Sequence, residues 1–315
     1  MSWERARRLL RLSRFARGAD ARGQALPEAS MDPFAAVRAG SICVASGKGG
    51  TGKSVVCASL GALLAHRGRT LIVDADMGIG NAHILQGVSP ERTFVEVVAG
   101  DVSVREIVTP CREQLDLIAA GSGVSNMAGL TSYEMHHIAE GLEELELRYS
   151  FLLVDSAAGV SNQTVAFAAA SDVVLLVTTP DVTSMTDAYA FLKVLLRSNS
   201  TLAPLLVVNR ARSFAQAQAV AARMESVSKK FLGRTPRWVG WIPEDDAVAA
   251  AVNAREPLSL YAPRSRAAQV VGGLAVTLVE ELDRVHTRGL GRSLLRRVGY
   301  SPKLGAKSLA GAGRS

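Results

Sequence analysis

Ser41-Ile-Cys-Val-Ala-Ser46-Gly47-Lys48-Gly49-Gly50-Thr51-Gly52-Lys53-Ser54 decides the fold. An apolar run, Ile42 to Ala45, leads into a loop of the form Gly-x-x-x-x-Gly-Lys-Ser. The loop opens a helical pattern from Lys53 to Arg67, with Val56, Leu60, Leu63 and Leu64 at helical spacing and Gly68 as its stop. Between a strand and a helix, such a loop turns backbone N–H groups toward an anion at the positive end of the helix. Gly47, Gly49, Gly50 and Gly52 permit the turn around Thr51, Lys53 is placed to reach phosphate oxygens, and the Ser54 hydroxyl suits Mg²⁺.

Further apolar runs follow at Thr70 to Val73, Leu115 to Ala119, Phe151 to Val154, Val173 to Thr178, Leu205 to Val208 and Trp238 to Ile242, separated mostly by helical stretches. This alternation predicts an α/β fold, a parallel twisted sheet with helices on both faces. Thr131-Ser-Tyr-Glu134 reads as a capping box opening a helix that runs toward Arg148. The chain divides into a basic arm and linker (1–38), a central domain (39–286) and a basic tail (287–315).

The net charge of +7 is concentrated at the ends: residues 1–38 hold 8 Lys/Arg against 4 Asp/Glu, and 284–315 hold 8 against none. The part between them is negatively balanced. That argues against a uniformly DNA-coating protein, so specific nucleic-acid binding is not expected, and it suggests ends that meet an anionic surface or a partner. No run has the roughly 18 apolar residues of a spanning helix, and the early arginines lead into no signal-like segment, so a cytoplasmic location is expected. Cys43, Cys57 and Cys111 lack any Cys-x-x-Cys spacing and read as core residues in a reducing compartment.

Two more strands end in acids. Val73-Asp74-Ala-Asp76 and Phe151-Leu-Leu-Val-Asp155-Ser-Ala-Ala-Gly159 put carboxylates where open parallel sheets place their chemistry. Either strand-end aspartate of the first pair can instead cap the turn that follows. After the sixth apolar run stands Val207-Val-Asn209-Arg210. An Asn amide both donates and accepts, matching the N6/N7 edge of adenine, whereas guanine favours a carboxylate, which Asn209-Arg-Ala-Arg212 lacks. ATP is therefore preferred.

The second lysine of the loop, Lys48, marks a resemblance to the deviant Walker A group of P-loop ATPases, the MinD/ParA type, from about Ile42 to Leu282. The resemblance implies slow ATP hydrolysis with Mg²⁺ and an ATP-bound homodimer, in which Lys48 crosses to the partner's triphosphate beside Lys53. A loop lysine that only meets solvent is the alternative. It further implies that Asp76 orients the attacking water, that Asp155 holds Mg²⁺ through water, and that Asp74 supports the Mg²⁺ shell. Pro243, Glu244 and Asp245 of Ile242-Pro-Glu-Asp245 would close over adenine with Asn209 and Arg210. Relatives often carry Pro or Gly at the place of Ala157, a departure in the second switch loop.

Asp74-Ala-Asp-Met-Gly-Ile-Gly-Asn81, Ala120-Gly-Ser-Gly123, Asp155-Ser-Ala-Ala-Gly-Val-Ser161 and Thr178-Thr-Pro-Asp-Val-Thr-Ser-Met-Thr-Asp-Ala-Tyr189 resemble FlhG (FleN) proteins, regulators of flagellar number and placement. That family carries an N-terminal segment, Asp-Gln-Ala-x-x-Leu-Arg, that stimulates the GTPase FlhF. Glu4-Arg-Ala6-Arg-Arg-Leu9-Leu10 keeps Ala6 and Leu9 but departs at Arg5 and Leu10, so contact with an FlhF-like GTPase is the weaker implication. A MinD division protein would normally lack the long basic arm, a ParA DNA segregator needs a basic folded face, and an iron–sulfur relative needs paired cysteines.

Near the other end, Leu290, Leu294, Leu295 and Val298 share one side of a helix and Arg292, Arg296 and Arg297 lie toward the other. The pattern resembles the membrane-targeting helix of MinD and FlhG proteins and predicts peripheral attachment to an anionic membrane in the ATP state. The alternative is a helix docked on the protein's own core.

Overall fold

The computed structural model describes residues 38–78, 80–121 and 129–298. The N-terminal arm, with its expected GTPase contact, and the tail beyond Val298 lie outside them. The chain folds in the order β1 (Gly40–Ser46), α1 (Lys53–Ala65), β2 (Thr70–Ala75), α2 (Ala82–Leu85), α3 (Phe94–Ala99), β3 (Val108–Arg112) and β4 (Leu115–Ile118). Then come α4 (Ser132–Leu145), β5 (Phe151–Ala158), α5 (Asn162–Ala170), β6 (Val173–Thr178), α6 (Val182–Ser198), β7 (Leu205–Ala211) and α7 (Phe214–Leu232). The last elements are β8 (Arg237–Pro243), α8 (Asp246–Asn253), α9 (Leu258–Tyr261), α10 (Arg266–Arg284) and α11 (Leu290–Val298).

The eight strands form one sheet in the order β3-β4-β2-β5-β1-β6-β7-β8. All neighbouring pairs are parallel except β3 with β4. β1 is buried along its whole length because both faces are covered. Ile42 and Val44 join the core with Val56, Leu60 and Leu64 of α1 and Val271 and Leu278 of α10, whereas Cys43 and Ala45 face the core that holds Ile138, Phe167 and Phe191. All seven strands expected from apolar runs are present. β3 was not expected: it is half-exposed, short and contains Pro110, so it has no apolar run to reveal it.

The capping box forms as read. Glu134 N–H donates to Thr131 Oγ1 at 3.2 Å, and the Thr131 N–H donates to Glu134 Oε2 at 2.6 Å. The helix that runs toward Arg148 spans Ser132–Leu145, and its C-cap residue Glu146 is drawn inward by Arg38 and Gly291.

The C-terminal helix lies where the pattern placed it, with its apolar stripe against protein, the docked alternative. Leu290 and Leu294 are fully buried, and Leu295 and Val298 pack against the same core, on α4 and α5. The core thus runs on through Val298 instead of stopping at 286. A Cβ on Gly291 would overlap the backbone of Ala139 and Glu143, so this glycine lets α11 press directly onto α4.

Candidate functional site: a phosphate loop and a base cavity at the strand ends

The C-terminal ends of β1, β2, β5, β7 and β8 converge on one edge of the sheet. Gly47–Ser54 joins β1 to α1 there. Gly50 and Gly52 have φ of 75° and 89°, the left-handed region that glycine occupies at no steric cost. At Gly47 the constraint is space: a Cβ would overlap the Asp187 backbone carbonyl on α6. Gly49 has open space beside it.

The two loop lysines are separated by burial. Lys53 begins α1 and is 7% exposed. Lys48 is exposed, and its Nζ donates to Thr183 Oγ1 on α6 at 2.7 Å. In the sequence Thr183 is one position within the longer stretch Thr178 to Tyr189. Nothing in a helix-start threonine announces a lysine partner 135 residues away.

Asp74 and Asp155 are cross-strand partners on β2 and β5, both almost wholly buried. Asp74 accepts from the N–H groups of Asp76 and Ala82, each at 3.1 Å, one on each carboxylate oxygen. Its observed work is to pin the loop after β2, the turn-capping alternative. Burial first, and then Asp155, raises its pKa well above the usual carboxylate range. Asp155 is raised to about 6, chiefly by burial, although Lys53 and a Ser54 hydrogen bond pull it down. Its Oδ1 is buried without a partner among the described residues. An orphan carboxylate oxygen beside a Ser54 hydroxyl and under a phosphate cradle fits Mg²⁺ held through water. Asp76 is half-buried at the mouth of this pair. Gly159, at φ 90°, donates its N–H to Ser46 O at 3.1 Å, so the loop after β5 is tied to the base of the phosphate loop.

Beside the loop opens a cavity of about 340 Å³, lined among others by Val56, Asn209, Arg210, Pro243, Val248 and Leu258. Glu244 and Asp245 also line it, so the residues expected around a base are brought together. Their polar groups are largely engaged. Asn209 Nδ2 donates to Thr51 O at 2.8 Å, and its Oδ1 accepts from Arg210 N–H at 2.9 Å, so the amide braces the phosphate loop and retains one N–H and one lone pair for a base. Both oxygens of Asp245 accept backbone N–H groups, from Ala247 at 3.0 Å and Ala267 at 3.1 Å. Glu244 pairs with Arg212 at 3.3 Å. The apolar walls and the shape carry most of what the cavity offers a base.

A phosphate loop, a buried strand-end acid beside it and a neighbouring cavity mark a P-loop nucleotide-binding protein of the MinD-like ATPase class. Comparison with known proteins agrees: residues 42–258 match the CobQ/CobB/MinD/ParA nucleotide binding domain, and the chain belongs to that family. It is 33% identical over 227 residues to the antiactivator FleN of Pseudomonas aeruginosa, covering 72% of this chain and 81% of that protein. It is 29% identical over 244 residues to the flagellum site-determining protein YlxH of Helicobacter pylori, covering 77% and 82%. Among solved structures it is similar to the septum site-determining protein MinD of Pyrococcus horikoshii in complex with Mg-ADP, with a TM-score of 0.64 and 26% identity over 76% of this chain and 96% of that one.

Proposed function

We propose that this chain is an ATP-hydrolysing switch of the FlhG/FleN kind, which controls flagellar number or placement by cycling between an ADP-bound monomer and an ATP-bound dimer. The observation that carries the reading is the division of labour between the lysines. Lys53 is sunk in its own phosphate loop, and Lys48, only five residues away, is exposed and turned to the rim at Thr183. A cation at the rim can complete the charge balance of a second subunit's triphosphate, coupling dimerisation to the γ-phosphate. Ser54 and Asp155 would hold Mg²⁺, which supplies charge neutralisation at the phosphates. Asp76, at the strand end, would orient the attacking water, and Asp74 would keep that loop in place.

The flagellar role is supported by the likeness to FleN and YlxH; similarity to MinD proteins supports a division-site role as the second reading. Contact with an FlhF-like GTPase would fall to the arm at residues 1–38, for which stimulation of GTP hydrolysis by a peptide of residues 2–17 is the check. Membrane attachment through Leu290, Leu294, Leu295 and Val298 requires α11 to leave the core, since its apolar face is already covered. In that state the protein would sit at the cytoplasmic membrane surface.

The test of the switch is a pair of variants. Lys53→Ala is expected to abolish ATP binding, whereas Lys48→Ala keeps appreciable binding and no longer forms the ATP-dependent dimer in sedimentation velocity. A Lys48→Ala protein that dimerises with ATP like the unaltered chain would overturn the switch.

A further inference from the structure

At the opposite ends of the strands, where β6 begins, the end of α5, the segment after α6, α10, α11 and the α10–α11 connection enclose a second cavity of about 230 Å³. The residues that give it chemistry are His286 and Arg288 from the connection, Ser293 and Arg297 from α11, and Thr201 after α6. Its two carboxylates are already engaged. Asp172 accepts from the N–H and Oγ of Ser41 at 3.0 and 2.6 Å and from the Arg288 N–H at 3.0 Å. Glu281 is bound by Arg237 at 2.7 Å and by Arg284. The cations are not matched in this way. Arg297 spends one nitrogen on the Ser198 carbonyl at 3.1 Å, and the exposed side chain of Arg288 has no hydrogen-bond or ion-pair partner among the described residues. Burial, and then the charge of Arg288, push the Arg297 guanidinium below its ordinary value.

We propose that this cavity binds a phosphate group, as free phosphate or as a phospholipid headgroup, between Arg288 and Arg297. Two guanidinium forks and the Ser293 hydroxyl supply the donors a tetrahedral oxyanion takes, whereas Thr201 Oγ1 already donates to Asn199 Oδ1 at 2.8 Å. The volume is below the roughly 300–1,000 Å³ of ordinary small-molecule sites, so a phosphate with a small substituent fits and a nucleotide does not. Ser293 and Arg297 ride on α11, while Arg288 precedes it on a connection whose backbone is tied to the body of the fold by the Arg288 N–H bond to Asp172. A bound phosphate therefore bridges the two and holds the C-terminal helix in its docked place.

Inorganic phosphate is titrated into the full chain in Mg-ADP, with chloride at equal ionic strength as the control, while the side-chain N–H resonances of Arg288 and Arg297 are followed by NMR. Phosphate bound at the nucleotide loop instead would move Gly49–Ser54 signals and leave the two arginines unchanged. The expected result is a saturable shift of both arginines, weakened about ten-fold or more in Arg288→Gln or Arg297→Gln and retained in Arg292→Gln, a charge-matched change on the same helix outside the cavity. Vesicles of phosphatidylglycerol against phosphatidylcholine distinguish the source. Loss of phosphatidylglycerol co-sedimentation in both cavity variants makes it a headgroup, and binding indifferent to them makes it soluble phosphate. No saturable shift, an equal shift with chloride, or equal weakening in Arg292→Gln would overturn the proposal.

Discussion

Glu146→Ala should loosen the C-terminal helix. The Glu146 side chain is wholly buried; one oxygen accepts from Arg38 Nη1 at 2.9 Å and the other from the Gly291 N–H at the start of α11. A hydrogen bond to a charged group contributes about 1.5–3 kcal/mol, and the lost Gly291 contact bears directly on docking. The Arg38 contact bears on it less, because Arg38 is 23% exposed and keeps Glu143 at 3.0 Å. Removing Glu146 also removes a charge that burial disfavours, visible in its raised pKa. The net loss should be near 2 kcal/mol, or roughly 30-fold in the ratio of docked to undocked helix. Hydrogen exchange on residues 289–298 should then quicken by about that factor while the sheet strands keep their protection. Co-sedimentation with anionic vesicles should rise if the freed apolar face is the anchor. Leu294→Glu would expel the helix too, but without an intact apolar face to insert. Acid does not mimic the variant: burial holds the Glu146 pKa above its ordinary value, so folding stability gains as pH falls through the folded value, even though the Gly291 and Arg38 contacts themselves favour the ionised form. Unchanged exchange of α11, or faster exchange of α11 and the sheet together, would refute this reasoning.

Asp76→Ala should bind Mg-ATP and accumulate as dimer while phosphate release slows by orders of magnitude; unchanged turnover would reduce Asp76 to a loop residue. Because Asp155 titrates near 6, above its ordinary value, protons compete with Mg²⁺ below that pH, and Mg²⁺-dependent nucleotide affinity should fall about ten-fold per unit there. The sign reverses for the metal-free protein, whose stability gains from protonating Asp155 as pH drops through 6, a difference that melting curves with and without Mg²⁺ will show. Gly47→Ala forces a methyl onto the backbone of Asp187, so it should cost about 1–3 kcal/mol. That lowers Tm by several degrees and removes stabilisation by ADP.

What the sequence revealed and what it hid follow from how local each signal is. The loop Gly47–Ser54 is legible because its chemistry is contained in eight consecutive residues, and the strands because burial on both faces demands continuous apolar runs. The edge strand Val108–Arg112 lacks that demand and left no pattern. Asn209 illustrates a different limit: residue type alone says that an amide can read a base, and only the fold shows the same amide spent on Thr51 and Arg210.

The C-terminal helix is the most instructive case. An amphipathic stripe states that an apolar face must be covered, but lipid and protein satisfy that demand equally well, so Leu290, Leu294, Leu295 and Val298 could not choose between them. The choice was written in residues that weigh against a free helix. Gly291 weakens helical propensity by about 1 kcal/mol, which is hard to explain for an independent anchor, yet it is required where α11 meets the Ala139 and Glu143 backbone. Glu146 is a buried acid whose partners lie 108 residues before it and 145 after it. The same apolar face can still serve a membrane only in competition with this docking, so whatever alters Arg38, Glu146 or the cavity beside Arg297 should shift the balance between the two.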